Sequence, residues 1–403
     1  MKAGWKALTS CSWRALFGGL IALLVLLDLG SGAADPPVQD KKQFVVIVFD
    51  DMRFDDMKYM PQLASLVEHR GQSLDNAFVS CPLCCPSRSS LFTGLLVSNH
   101  GVTGNPVKLK KPTIFSALHA AGIKTGIVGK YLNSHNGKPL PEFDYWASFK
   151  GGNMRNWLLP RMNINGRWAL MKKYISDVVL EQAEIFTRDF ASKPYVLYMN
   201  FTAPHRPAVT PPEFEASCDD VELPADFNVN DLTAPPEYQD LALVNPEFLL
   251  THACDRAKSL KYVDAKVSNF VRGLISQGVT VFIVSDNGVM LGEFRILDKG
   301  NPYPGAVRSP FLVFNFPRID SNRVISLIDI PASIMKSFNV DPPGYTMDGI
   351  PLDQPRTSAT IEYSAKKIGF TAIATPGLIK VTYATGFQQD IEYSDDAGGN
   401  PGL

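Results

Sequence analysis

Residues 43–49 form an unbroken apolar, β-branched run that ends abruptly in Asp50-Asp51, and the same design recurs along the chain. Residues 124–128 lead into Gly129, residues 195–201 into Ala203-Pro204-His205, and residues 279–284 into Ser285-Asp286-Asn287. Strands that are apolar throughout, without alternation, are buried on both faces, as in a parallel sheet. Amphipathic stretches lie between them. Residues 255–277 place Leu260, Val263, Val267, Phe270, Val271 and Leu274 on one helical face, with Gly278 as the carboxyl cap. Residues 174–190 repeat the pattern with Ile175, Val179, Ala183 and Phe186 before Pro194, and a shorter helix over 113–121 closes at Gly122. The alternation predicts an α/β fold with a mostly parallel central sheet flanked by helices. Such sheets bind ligands outside the carboxyl ends of their strands, where the polar residues just named fall.

After Pro351 the texture changes to short alternating runs at 359–363, 370–375, 378–383 and 387–393, with Pro376-Gly377 and Thr385-Gly386 as turns. This predicts a small antiparallel sheet subdomain over 352–403 behind a main α/β domain over 35–351. Residues 203–247, rich in Pro, Asp and Glu, read as a long surface excursion over one rim of the sheet.

Residues 1–34 read as a cleaved signal peptide. Lys2, Lys6 and Arg14 precede an apolar run over 15–27, and small residues at 31–34 are followed by Pro36-Pro37. The run falls short of the roughly 20 residues that span a bilayer, so no stable membrane anchor is expected. Export to a secreted or extracytoplasmic location follows, lysosomal and periplasmic compartments included. Loss of the segment moves the formal net charge only from -1 to about -3, with no basic face for nucleic acid. Of the cysteines left, Cys218 and Cys254 are the expected disulfide in this oxidising setting; both sit in loop-like sequence, though four cysteines besides Cys84 leave three connectivities open.

The sharpest local signal is the stretch Pro82-Leu83-Cys84-Cys85-Pro86-Ser87-Arg88-Ser89-Ser90-Leu91-Phe92-Thr93-Gly94. Cys81-x-x-Cys84 could in principle be half a zinc site or a redox pair, but no second Cys or His pair stands at metal spacing. The stretch resembles the signature of the formylglycine-dependent sulfatases, C-x-P-S-R followed after two positions by two apolar residues, Thr and Gly, and every defined position matches. The resemblance implies an alkaline-phosphatase-like α/β sandwich and oxidation of Cys84 to formylglycine (3-oxoalanine) by a formylglycine-generating enzyme that reads Pro86 and Arg88. A hydrated aldehyde offers two geminal hydroxyls, one to attack sulfur and one to drive sulfate out again, which Ser or Cys could not do. Pro86 suits a first helical turn, which puts residue 84 at an anion-favouring helix start with Arg88 one turn on.

Asp50, Asp51, Asp286 and Asn287 are four oxygen donors at two strand ends. Asp and Asn are also ordinary turn residues there. Within the resemblance these positions, together with residue 84, hold one divalent cation, and hard oxygens suit Ca2+, or Mg2+, over zinc. Asp55 and Asp56 read as surface residues. Lys130 and Lys299 match lysines that touch the sulfate, and His205 matches a histidine on a sulfate or leaving-group oxygen. Singly, such residues are more often plain surface; together they would stabilise charge growing on the transferred group.

Leu132 departs from the family, many of whose members carry His two residues after the lysine, and Asn133 or His135 could supply the contact instead. The form Gly129-Lys130-Tyr131-Leu132-Asn133 and the doubled Cys84-Cys85 resemble the glucosamine-6-sulfatases and the extracellular heparan 6-O-endosulfatases. A sulfated sugar or glycosaminoglycan is the implied substrate. A phosphodiester or phosphonate monoester hydrolase on the same site, and an inactive glycan-binding relative, are the alternatives. Asn200-Phe201-Thr202 is a glycosylation sequon at the end of an apolar strand.

Overall fold

The computed structural model describes residues 41–394 apart from 153, 155 and 240. The signal-like segment over 1–34 lies outside the described residues. A nine-stranded sheet runs through the chain: β1 (Gln43–Asp50), β2 (Gly71–Ser73), β3 (Lys124–Gly129), β4 (Tyr145–Ser148), β5 (Arg161–Ile164), β6 (Arg167–Leu170), β7 (Tyr195–Pro204), β8 (Thr280–Ser285) and β9 (Phe311–Phe314). Its spatial order is β2-β9-β8-β1-β7-β3-β4-β5-β6. The block β8-β1-β7-β3-β4 is parallel, and antiparallel strands close both edges. The runs that announce the sheet in the sequence are β1, β3, β7 and β8. The edge strands, short and partly exposed, carry no such signal.

Strand β1 explains the layering. Its residues are all buried, and alternate side chains enter two different cores. Phe44, Val46 and Val48 join one core with α2 (Cys84–Thr93), α3 (Ile114–Ala120) and α6 (Asp329–Phe338), through residues such as Phe92, Phe115 and Ile334. Val45, Ile47 and Phe49 join the other with α1 (Pro61–Arg70), α4 (Ile175–Asp189) and α5 (Pro246–Ser276), through Leu63, Val179 and Val267. The result is the three-layer α/β sandwich predicted from the sequence. The late strands β10 (Ala359–Tyr363), β11 (Phe370–Thr375), β12 (Leu378–Tyr383) and β13 (Gln388–Glu392) form a four-stranded antiparallel sheet. Its inward residues, Ile361, Ala372, Ile379 and Val381 among them, belong to the first core.

Helix α5 is longer than its apolar periodicity predicts, beginning at Pro246 and not near 255. Its start has a sequence signature all the same. Asn245 caps it, its side-chain oxygen accepting from the N–H groups of Glu247 (2.9 Å) and Phe248 (3.1 Å), with proline at the first helical position. Cys254 therefore lies in this helix and not in a loop. Its disulfide to Cys218, with Cα atoms 5.5 Å apart, fastens the 203–247 excursion to α5.

Candidate active site

Six chain segments deliver polar side chains to one place at the carboxyl edge of the parallel block. Strand β1 ends in Asp50 and Asp51, and β8 is followed by Asp286 and Asn287; all four are buried. Asp51 adopts a left-handed backbone (φ 66°), a region Asp tolerates better than most residues, and its N–H donates to Asp286 Oδ1 at 3.1 Å. The two strand-end pairs, distant in sequence, are thus stitched together by a bond from the Asp51 backbone. Cys84 is the first residue of α2, so its side chain sits at a helix amino terminus as the sequence implies. Its Sγ lies 3.7 Å from Asp50 Oδ1 and 4.0 Å from Asp51 Oδ1.

Cations interleave with the acids. Lys130 Nζ donates to Asp50 Oδ2 at 2.6 Å, and Lys299 Nζ donates to Asp51 Oδ1 and stands 3.0 Å from Cys84 Sγ. Arg88 Nε pairs with Asp286 Oδ2 at 2.7 Å, and its Nη1 donates to Asn200 Oδ1 at 2.8 Å and to Lys130 O at 3.2 Å. Lys130 can lie this close because Gly129 precedes it: φ is +87°, and a Cβ there would fall 1.9 Å from Asn200 O. Three carboxylates, Asp50, Asp51 and Asp286, face three fixed cations, Arg88, Lys130 and Lys299. The cluster is electrically self-contained, which permits so many buried charges.

The electrostatics follow from that interleaving. Burial is the largest single influence on the Asp50 and Asp51 carboxyls and raises them, but the surrounding cations together, led by Lys130 at the first and Lys299 at the second, outweigh it, and both end below the usual carboxylate range. Asp286 moves the other way, burial prevailing over Arg88. The Cys84 thiol is pushed up to about 12 by burial, against the pull of Lys130 and Lys299. Left as a thiol, residue 84 is protonated at neutral pH and a poor nucleophile.

His205 follows β7 between two cis prolyl bonds, Ala203-Pro204 and Arg206-Pro207. Its Nδ1 bonds the carbonyl of Arg206 at 2.6 Å, which turns Nε2 toward Asp51 Oδ2, 3.6 Å away. A cavity of about 260 Å³ opens beside it, and its lining includes Asp51, His205, His252, Arg256 and Lys299.

The oxygen donors fit a divalent cation. Asp50, Asp51, Cys84 and His205 offer ligand atoms all within 4.8 Å of one another. Asn287 Oδ1 is buried with no hydrogen-bond partner among the described residues, while its Nδ2 is engaged by Asp51 Oδ1 (2.7 Å) and Gly288 O (2.9 Å). An amide oxygen left without a hydrogen-bond donor beside carboxylates has a lone pair free for a cation.

All residues singled out in the sequence, Asp50, Asp51, Cys84, Arg88, Lys130, His205, Asp286, Asn287 and Lys299, are drawn together here. Other readings change. Asp56 is buried, accepting from Arg53 N (2.9 Å) and Arg256 Nη2 (2.7 Å), and Asp55 pairs with Arg53 Nε at 2.7 Å, so neither is a free surface acid. Arg256 also donates to Asp51 O at 2.8 Å, so Asp56 helps to fix the acidic turn from behind. His135 packs its ring against Tyr131 and Trp146, and Leu132 is core. Asn200, legible only as a sequon, is fully buried and bonded to Arg88, so the folded chain has no room for a glycan there. His252 lies ahead of the 255–277 stretch read as a helix, and Arg256, inside that stretch, is a polar residue off the apolar set that defined it.

A helix-start residue, strand-end carboxylates and fixed cations thus meet at one edge of an α/β sandwich. The chain belongs to the sulfatase family, whose model matches residues 42–340. It is 26% identical over 393 residues to an extracellular sulfatase SULF-1 homolog of Drosophila melanogaster, a match covering 85% of this chain and 34% of that protein. Against N-acetylglucosamine-6-sulfatase of Homo sapiens it is 26% identical over 390 residues, 86% of this chain and 69% of that one. A structure solved with its substrate D-glucosamine-2-N,6-O-disulfate shares the fold at a TM-score of 0.71 and 16% identity, covering 89% and 92% of the two chains. A phosphonate monoester hydrolase of Silicibacter pomeroyi shares it at 0.69 and 16%, covering 89% and 90%.

Proposed function

We propose that the chain hydrolyses sulfate monoesters of sulfated sugars, with 6-O-sulfated glucosamine units of glycosaminoglycans as the substrate class. The convergence of residue 84 with Asp50-Asp51, Asp286-Asn287 and two lysines carries this reading, and the resemblance to glucosamine-6-sulfatases supports the sugar. Asp50, Asp51, Asp286, Asn287 and residue 84 would hold one Ca2+, which would supply charge neutralisation to the ester oxygens. Residue 84, oxidised by a formylglycine-generating enzyme and hydrated, would supply one hydroxyl to attack sulfur and a second to expel sulfate.

The chain's own groups do the rest. Lys299, in contact with both Asp51 and Cys84, and Lys130, held by Asp50, present ammonium groups to the transferred group's oxygens. Arg88 Nη2 makes no hydrogen bond among the described residues and stands 4.0 Å from Asp50 Oδ1, while Nε and Nη1 are tied down, so the guanidinium adds fixed positive charge beside residue 84. His205, its Nδ1–H engaged by the Arg206 carbonyl, presents Nε2 toward Asp51 at the cavity and, as the imidazolium, is placed to hand the Nε2 proton to the departing sugar oxygen. The Cys218–Cys254 disulfide supports an exported protein.

Protein matured with the formylglycine-generating enzyme should release sulfate from N-acetylglucosamine 6-sulfate, and a peptide containing residue 84 should show the thiol-to-aldehyde mass change. Turnover confined to an aryl phosphodiester would favour the phosphorus-ester reading. Turnover by protein with unmodified Cys84 would sink the mechanism.

A further inference from the structure

The cavity beside His205 continues along one stripe of α5. Phe248, His252 and Arg256 are spaced four residues apart, so they stack on one helical face, and all three line the cavity. They differ in how far they are committed. Arg256, buried, is spent on Asp51 O and Asp56. His252 is half-buried; burial, with Arg256 and Arg206 adding to it, holds its imidazole down at about 4, so at neutral pH it offers one donor and one acceptor and no charge. Phe248 leaves 49% of its surface exposed at the mouth, and Leu297 across from it on the lining leaves 43%.

Arg206 completes this mouth. It is exposed, its guanidinium stands 5.8 Å from the Phe248 ring, and among the described residues it has no carboxylate partner. The cations deeper in the site, Arg88, Lys130 and Lys299, are each paired with an acid. Arg206 alone on the lining therefore keeps its charge for something outside the chain. An aromatic face is a platform for the C–H face of a pyranose, a neutral imidazole suits hydroxyls, and a guanidinium suits a carboxylate or sulfate in a two-pronged contact.

We infer that Phe248, His252 and Arg206 form a sugar subsite that selects substrates bearing a second anionic group beside the scissile sulfate. This rests on the sulfatase reading above and deepens it. Phe248 carries the sugar ring, His252 bonds its hydroxyls, and Arg206 reads the second anion.

The test compares glucosamine 2-N,6-O-disulfate with N-acetylglucosamine 6-sulfate on the matured protein, with an aryl sulfate as reference. Wild type should prefer the disulfated sugar in kcat/KM, and Arg206→Ala should shrink that preference by roughly tenfold or more, the loss of one charge-assisted contact. Phe248→Ala should raise KM for both sugars more than it lowers kcat. Calorimetric binding of the two sugars to Cys84→Ala protein, with and without Arg206→Ala, gives the same comparison without turnover. Equal losses on both sugars, or a wild type without preference, overturn the subsite alone. Sulfate release by wild type from none of the three overturns the sulfatase reading and the subsite with it.

Discussion

Arg88 Nε lies 2.7 Å from Asp286 Oδ2, and both side chains are completely shielded from solvent. The pair ties the helix that carries residue 84 to the strand end that carries one of the three clustered carboxylates. Breaking such a pair from one side strands a buried charge. Arg88→Ala should lower stability by about 3–5 kcal/mol, whatever it does to turnover. Arg88→Lys should recover part of this, since a point charge can face Asp286 but cannot also reach Asn200 and Lys130 O through a fork. Guanidinium unfolding curves decide it: an Arg88→Ala protein within about 1 kcal/mol of wild type would mean the pair contributes no net stability.

Burial holds the Cys84 thiol up at about 12, so folded protein that has escaped oxidation should be inert to thiol reagents at residue 84. Iodoacetamide at pH 8 should leave Cys84 unlabelled in native protein and label it after unfolding, as read by peptide mass spectrometry. Cys84→Ala should fold normally and release no sulfate. Rapid native labelling would show that the thiol is activated after all, and with it that the lysines prevail over burial.

The parallel block and its strand-end residues were legible because unbroken apolar runs stopping at Asp-Asp and Asp-Asn are a local pattern. Cys84, Arg88, Lys130 and Lys299 were legible through resemblance, not periodicity. What stayed hidden was set by long-range contacts. Asp56 looks like a surface acid until Arg256, 200 residues away, is brought to it by the packing of α5. Asn200 looks like a sequon until Arg88 reaches it across the sheet. The α5 stripe Phe248, His252 and Arg256 that lines the cavity is polar or exposed, so an apolar period could not find it, although the Asn245-Pro246 start could have.

The orphaned Asn287 Oδ1 and the lowered Asp50 and Asp51 carboxyls lead to an expected outcome for metal addition. Ca2+ should raise the melting temperature with concentration, by a free energy of about 2.7 kcal/mol at a hundredfold excess over its dissociation constant. EGTA should reverse it. Asp51→Asn and Asn287→Ala should each abolish the calcium response. The readout is a thermal shift on unmatured as well as matured protein, so it does not depend on turnover. No calcium response in wild type would count against a calcium site here.

His100 supplies a pH dependence away from the site. It is buried at the end of the short helix Val97–His100; Nδ1 accepts from Val102 N at 3.0 Å, which leaves Nε2 to donate to Ser90 Oγ, also at 3.0 Å. The neutral ring satisfies both bonds, and protonation would break the first. Burial lowers its pKa from 6.5 to about 4 despite Asp348 nearby. Between these values the unfolded chain binds the proton and the folded chain does not, so stability rises with pH across the window. It is fully present above about 6.5 and falls as the pH drops toward 4, by up to about 3 kcal/mol from this residue. His100→Gln cannot take up that proton. Its melting temperature should therefore fall less steeply than wild type between pH 6.5 and 4, whatever its stability at neutral pH. Parallel slopes for the two proteins would show that His100 titrates normally in the fold.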